Sequence, residues 1–204
     1  MLNDVFILTF LLLIAGCSLA AAVHHLARCR YLTILDVQKI LRPVQATRIV
    51  NLLDSRVEEI VRPVFSRRKF EDSQLMTLYE IREHLLRMAH NSFVLLVWAN
   101  TELWRETKYK PDMENREVYI DLSRKLHAAA LEFRIYAIFT LVRVNFWMIV
   151  RIRPWSPFPA PRLVELRETA GVRFYASYQR LQEAVGALCL AYGQEFYDEM
   201  MAVL

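Results

Sequence analysis

Residues 72–107 carry an apolar stripe with almost no interruption: Leu78, Ile81, Leu85, Met88, Ser92, Leu95 and Ala99. The steps alternate three and four. That spacing returns to one face of an α-helix at every turn and no strand can use it. A chain built around such a seam must bury it against other helices. Two further stretches behave alike. Residues 113–152 offer Val118, Leu122, Leu126, Ala129, Phe133, Tyr136, Thr140, Val144 and Trp147. A last helix opening at Pro161 offers Leu163, Leu166, Ala170, Phe174, Ser177, Leu181, Ala184, Leu188 and Ala191. Asp72 or Ser73 is the expected cap of the first, and Lys108 to Asp112 breaks it from the second. Pro154, Pro157, Pro159 and Pro161 end the second.

Glycine usage agrees. The 204 residues contain four glycines, at 16, 171, 186 and 193. A β-rich fold with many tight turns would need more, and no Gly-rich phosphate loop can be made from glycines so placed. Long helices joined by short connections run antiparallel to their neighbours. A shorter helix after Pro43 presents Ile49, Leu53, Val57, Ile60 and Val64 on one face. Residues 135–150 have more apolar surface than two neighbours need, so the 44–64 helix is expected to pack there and make that end four-helical. Gly186 and Gly193, seven apart, permit close approach of another helix, from this chain or a partner.

Val5–Val23 holds no charged residue. At about 1.5 Å per residue it approaches the roughly 20 residues that cross a bilayer. Asp4 precedes it; His24, His25, Arg28 and Arg30 follow. Charge placement of this kind puts the N-terminus outside and the rest in the cytoplasm. The expected fold class is therefore all-α: a single transmembrane helix with its juxtamembrane segment over 1–30, then an elongated antiparallel three- to four-helix bundle over 31–204. Ile14-Ala15-Gly16-Cys17 also resembles a bacterial lipobox, which would make the chain a lipoprotein anchored through Cys17. The missing N-terminal positive charge and the apolar run beyond Cys17 oppose that alternative. A second span at 135–150 is disfavoured by Arg143, which costs about 2.5–3.5 kcal/mol at a helix centre.

The net charge of +4 is concentrated: residues 24–70 carry ten Lys/Arg against four acids. That position suits an anionic membrane surface better than nucleic acid, for which no helix-turn-helix, zinc-finger or RNP pattern is present. Connections 65–71 and 153–161 should share one end of the bundle. Arg67, Arg68 and Lys69 would there join Arg151, Arg153 and Arg162, with Trp155 and Phe158 between, as a candidate surface for anionic lipids. Gly16 and Ala20 form a candidate contact for a protein partner in the membrane.

The residues form no recognisable reaction centre. There is no Glu-x-x-His pair for a di-iron bundle, no Ser/His/Asp order, no Gly-x-Ser-x-Gly and no HExxH. Glu80 and His84 share a face off the seam and read as a solvated pair. Cys17, Cys29 and Cys189 are too scattered for a zinc site or disulfide framework. The sequence thus points to no enzyme, metal or cofactor, but to a membrane-anchored scaffold, adaptor or accessory subunit of a larger assembly. The alternative is a membrane-tethered sensor, holding a small apolar ligand in a cavity lined by Phe139, Trp147 and Phe174.

Overall fold

The computed structural model describes residues 32–45, 48, 51–52, 60, 63–109, 116–152 and 172–204. Among them are five helices: α1 (Ile34–Ile40), α2 (Arg67–Tyr109), α3 (Arg116–Ile152), α4 (Val172–Tyr192) and α5 (Gln194–Val203). No strand occurs among the described residues.

The seam read from the sequence is the core of α2. Leu78, Ile81, Leu85, Met88, Ser92, Leu95 and Ala99 are all buried. α3 meets them from the opposite direction: Arg82, early in α2, donates through Nε to Asn145 Oδ1, late in α3, at 2.8 Å. The Arg134 guanidinium lies over the Phe93 ring, 4.7 Å from its centre. α4 runs antiparallel to α3 in turn. Tyr119, near the start of α3, donates to the Ala191 carbonyl at 2.5 Å, and Arg180 pairs with Glu132 at 3.2 Å. Phe133 sits between α3 and α4, with ring centres of Phe174 and Tyr178 at 5.1 and 5.2 Å.

The chain then breaks at Gly193, whose φ of 147° is open to glycine and strained for other residues. α5 folds back onto α4. A Cβ on Gly186 would lie 2.9 Å from Tyr197 Cε2, so the close approach this glycine permits is used by the chain's own last helix. Tyr178 donates to the backbone oxygen of Leu204 and secures the C-terminus in the core.

α1 completes the ring of contacts by packing on α2 and α5. A capping box starts it. Asp36 N–H donates to Thr33 Oγ1 at 3.3 Å, and Thr33 N–H donates to Asp36 Oδ2 at 3.0 Å. Asn91 then holds the strand of chain that leaves it: Arg42 N–H donates to Asn91 Oδ1 at 2.9 Å, and Asn91 Nδ2 donates to the Arg42 carbonyl at 2.7 Å. Val44 N–H donates to the Val203 carbonyl at 3.1 Å. Arg48 reaches Glu80 at 2.5 Å. Arg42 and Arg48 are thereby held on the α2 face that carries Glu80 and Asn91, and Val44 on α5.

Several expectations are corrected. The single-pass architecture does not stand: among the described residues no helix is long and apolar enough to cross a membrane. In α2 and α3, the longest described helices, charged residues such as Glu83, Arg87, Glu132 and Arg143 fall among the apolar ones. The stretch 5–23 on which the anchor rested, and Cys17 of the lipoprotein alternative, lie outside the described residues. α2 begins at Arg67 rather than at a cap on Asp72 or Ser73, with Phe70 N–H donating to the Ser66 carbonyl at 3.0 Å. Two residues beyond Ala191, the last position of the expected stripe, the chain divides at Gly193 into α4 and α5. Of the 44–64 stretch, residues 44–45 are non-helical, residues 48, 51–52, 60 and 63–64 are helical, Arg48 pairs with Glu80 of α2, and Ile60 and Val64 are exposed. Ile49, Leu53 and Val57 lie outside the described residues.

Candidate functional site

α3 is apolar on two sides. Its inner side supplies Leu126, Ala129, Ala130, Phe133, Ala137, Val144, Trp147 and Met148 to the core. Its outer side presents Leu131, Ile135, Ile138, Phe139, Val142, Phe146 and Ile149, each between 44% and 71% exposed. The steps along this strip are again three and four, with Phe139 beside it. It is therefore a second helix-packing seam, facing outward. At half exposure such side chains leave on the order of 50–100 Å² each in water, so the strip offers roughly 500 Å² of apolar surface. Single exposed apolar residues are ordinary on any protein, whereas a contiguous patch of roughly 500 Å² is as large as the largest patch on a typical monomer, and such patches are often functional.

On one flank of the strip a groove of about 510 Å³ is lined by Tyr136, Phe139, Thr140, Val142, Arg143, Phe146 and Arg173. Thr140 donates its hydroxyl to the Tyr136 carbonyl at 2.8 Å, which satisfies it within the helix. The Arg143 guanidinium lies 5.1 Å from the centre of the Trp147 ring. On the other flank, Leu86 of α2 stands on the same helical face as Arg82 and Phe93, both of which reach α3, and is itself exposed.

The cavity expected between Phe139, Trp147 and Phe174 is not formed. Trp147 and Phe174 are core residues, while Phe139 is among the most exposed apolar residues. Only Phe139 of the three lines the groove. Of the basic cluster, Arg67, Arg68 and Lys69 form the first turn of α2 and Arg151 the last turn of α3. The antiparallel pairing of those helices places the four at one end of the bundle, and Lys69 is exposed. Gly16, Ala20, Arg153, Trp155, Phe158 and Arg162 lie outside the described residues. With no membrane-spanning helix among the described residues, the anchored scaffold, the membrane-tethered sensor, the anionic-lipid partner and the cytoplasmic single-pass placement are all withdrawn.

One ionisable group in the seam escaped sequence reasoning. Glu102 is buried three residues beyond Ala99, at the next seam position. It accepts from Trp98 Nε1 at 3.0 Å, from Tyr192 Oη at 2.7 Å and from Arg105 Nη1 at 3.2 Å. Continuing the three-four count past Ala99 would have found it. Three donors fully engage its carboxylate, and it staples α2 to the end of α4. The Glu80–His84 pair is likewise structural, since Glu80 is taken by Arg48. His84 is half-buried, its Nδ1 has no partner, and burial followed by the charge of Arg87 lowers its pKa below 6.5. The Cys189 thiol is pushed up to about 12 by burial and is inert at neutral pH. No group of three or more His, Cys, Asp or Glu able to hold a metal occurs among the described residues.

No family model, no curated protein and no solved structure matches this chain.

Proposed function

We propose that the chain is a non-catalytic helical docking module whose working surface is the outer face of α3. The observation that carries this reading is the exposed seam from Leu131 to Ile149, on a helix whose other side is already committed to the core. A knobs-into-holes seam matches the ridges of another α-helix better than a loop or a small solute. Removing roughly 500 Å² of apolar surface from water is worth on the order of 12 kcal/mol. Association costs about 4–15 kcal/mol, so the strip can sustain a complex once its rim is matched. The inner face fixes the backbone on which the strip stands, so the surface is preorganised. Glu102, Thr140 and Glu80 are engaged within the chain, whereas the strip is exposed.

The experiment is photo-crosslinking in the source cells. A photoreactive phenylalanine analogue replaces Val142 on the strip or, as a control, Glu183 on the exposed side of α4. Position 142 should give an adduct of discrete mass and position 183 should give none. Equal background from both positions would end the docking reading.

A further inference from the structure

We infer that the occupant of the α3 strip is a second copy of this chain, docked antiparallel about a twofold axis that passes near Thr140. The inference rests on the docking reading above and names its partner. A twofold interface needs a patch that is complementary to itself when reversed. The strip meets that demand. Reversal about the level of Thr140 sets Leu131 against Ile149 and Ile138 against Val142, and brings Ile135 within one residue's rise of Phe146, so apolar faces apolar along the strip. A heterologous partner would not require this symmetry.

The area is of the right size. Roughly 500 Å² of apolar surface, in an interface about 60–65% apolar, implies about 800 Å² per copy, the extent of a standard stable interface. Charge selects the direction. The described charged residues of α3 between 131 and 149 are Glu132, Arg134 and Arg143, and none lies on the strip itself. Glu132 is engaged by Arg180, Arg134 stacks on Phe93 and Arg143 on Trp147, all within one chain. A parallel pair would set the two Arg143 side chains at one level. The antiparallel pair separates them by about 9 Å along the axis, about one Debye length in physiological salt.

The test is disulfide crosslinking of the full chain with Cys17→Ser and Cys29→Ser. Copies bearing Leu131→Cys are mixed with copies bearing Ile149→Cys and oxidised. The mixture should form a linked dimer. Leu131→Cys alone should not, because its two copies lie about 27 Å apart along the axis. Adding Val142→Glu to both copies should abolish the link while the helical circular dichroism stays unchanged. Dimers of Leu131→Cys alone, or no link in the mixture, would overturn the inference. If the mixture fails while position 142 still photo-crosslinks to a different protein, the second copy is excluded and the docking reading stands. If both fail, both fall.

Discussion

α2 and α3 are antiparallel neighbours of similar length, 43 and 37 residues, yet they relate to water in opposite ways. α2 is amphipathic. Its seam from Leu78 to Ala99 is buried, and its exposed apolar residues Met76, Tyr79, Leu86 and Trp104 are spread along the helix, with the ion pair of Glu83 and Arg87 among them. α3 has an equally complete inner seam and then repeats the pattern outside. A helix with one apolar stripe is satisfied by its own core; a helix with two needs something further. The inner stripe of α3 holds the fold, and the outer one is exposed, which is why we propose it as the docking surface.

The largest expected effect lies on the inner face. Phe133→Ala removes a ring packed between Phe174 and Tyr178 and should cost about 3–5 kcal/mol in denaturant unfolding. A loss under 1 kcal/mol would mean that the inner seam of α3 does not hold the bundle. Second is Glu102→Gln, which keeps the shape but turns an amide N–H₂ towards donors that need an acceptor. About 1–3 kcal/mol should be lost, and an unchanged midpoint would show that the staple between α2 and α4 is dispensable.

A pH effect comes next, confined to α2. The folded pKa of His84 lies below its unfolded value of 6.5, so the unfolded chain binds the proton more tightly. The stability contributed by this group is present above pH 6.5 and is lost as pH falls from there through the lowered value. His84→Gln should flatten the stability profile over that window, and a profile identical to the parent's would remove His84 as its cause. The smallest effect is Phe139→Ala on the outer strip. Its ring is mostly exposed, so stability in dilute solution should change by no more than about 0.5 kcal/mol. A loss comparable to that of Phe133→Ala would erase the distinction between the two faces.

The seven positions that the sequence spacing assigns to the α2 seam are all buried, because a three-four repeat returns to one face of the helix. The same count stopped one step early and missed Glu102, since a carboxylate there looks solvated until Trp98, Arg105 and Tyr192 are seen around it. Val118, counted as seam, is exposed: α3 at that level is held through Tyr119 instead. The outer strip was read as a surplus to be covered by residues 44–64. Periodicity states which face is apolar but not which neighbour lies on it. Long-range polar contacts, Arg42 with Asn91 and Arg48 with Glu80, set these two residues beside α2, while residues 53–59 lie outside the described residues. The break at Gly193 was equally hidden, because a glycine within a helical stripe serves a close approach or a turn with the same residue type.

Val142 and Val144 stand two positions apart on α3, one 62% exposed and the other fully buried. The most direct measurement is the rate of maleimide labelling of Val142→Cys, taken in freshly lysed source cells and again after purification and dilution. If the outer face of α3 is a docking surface, labelling is slow in the lysate and becomes fast once the complex dissociates. Equally fast labelling in both would show that nothing covers this face.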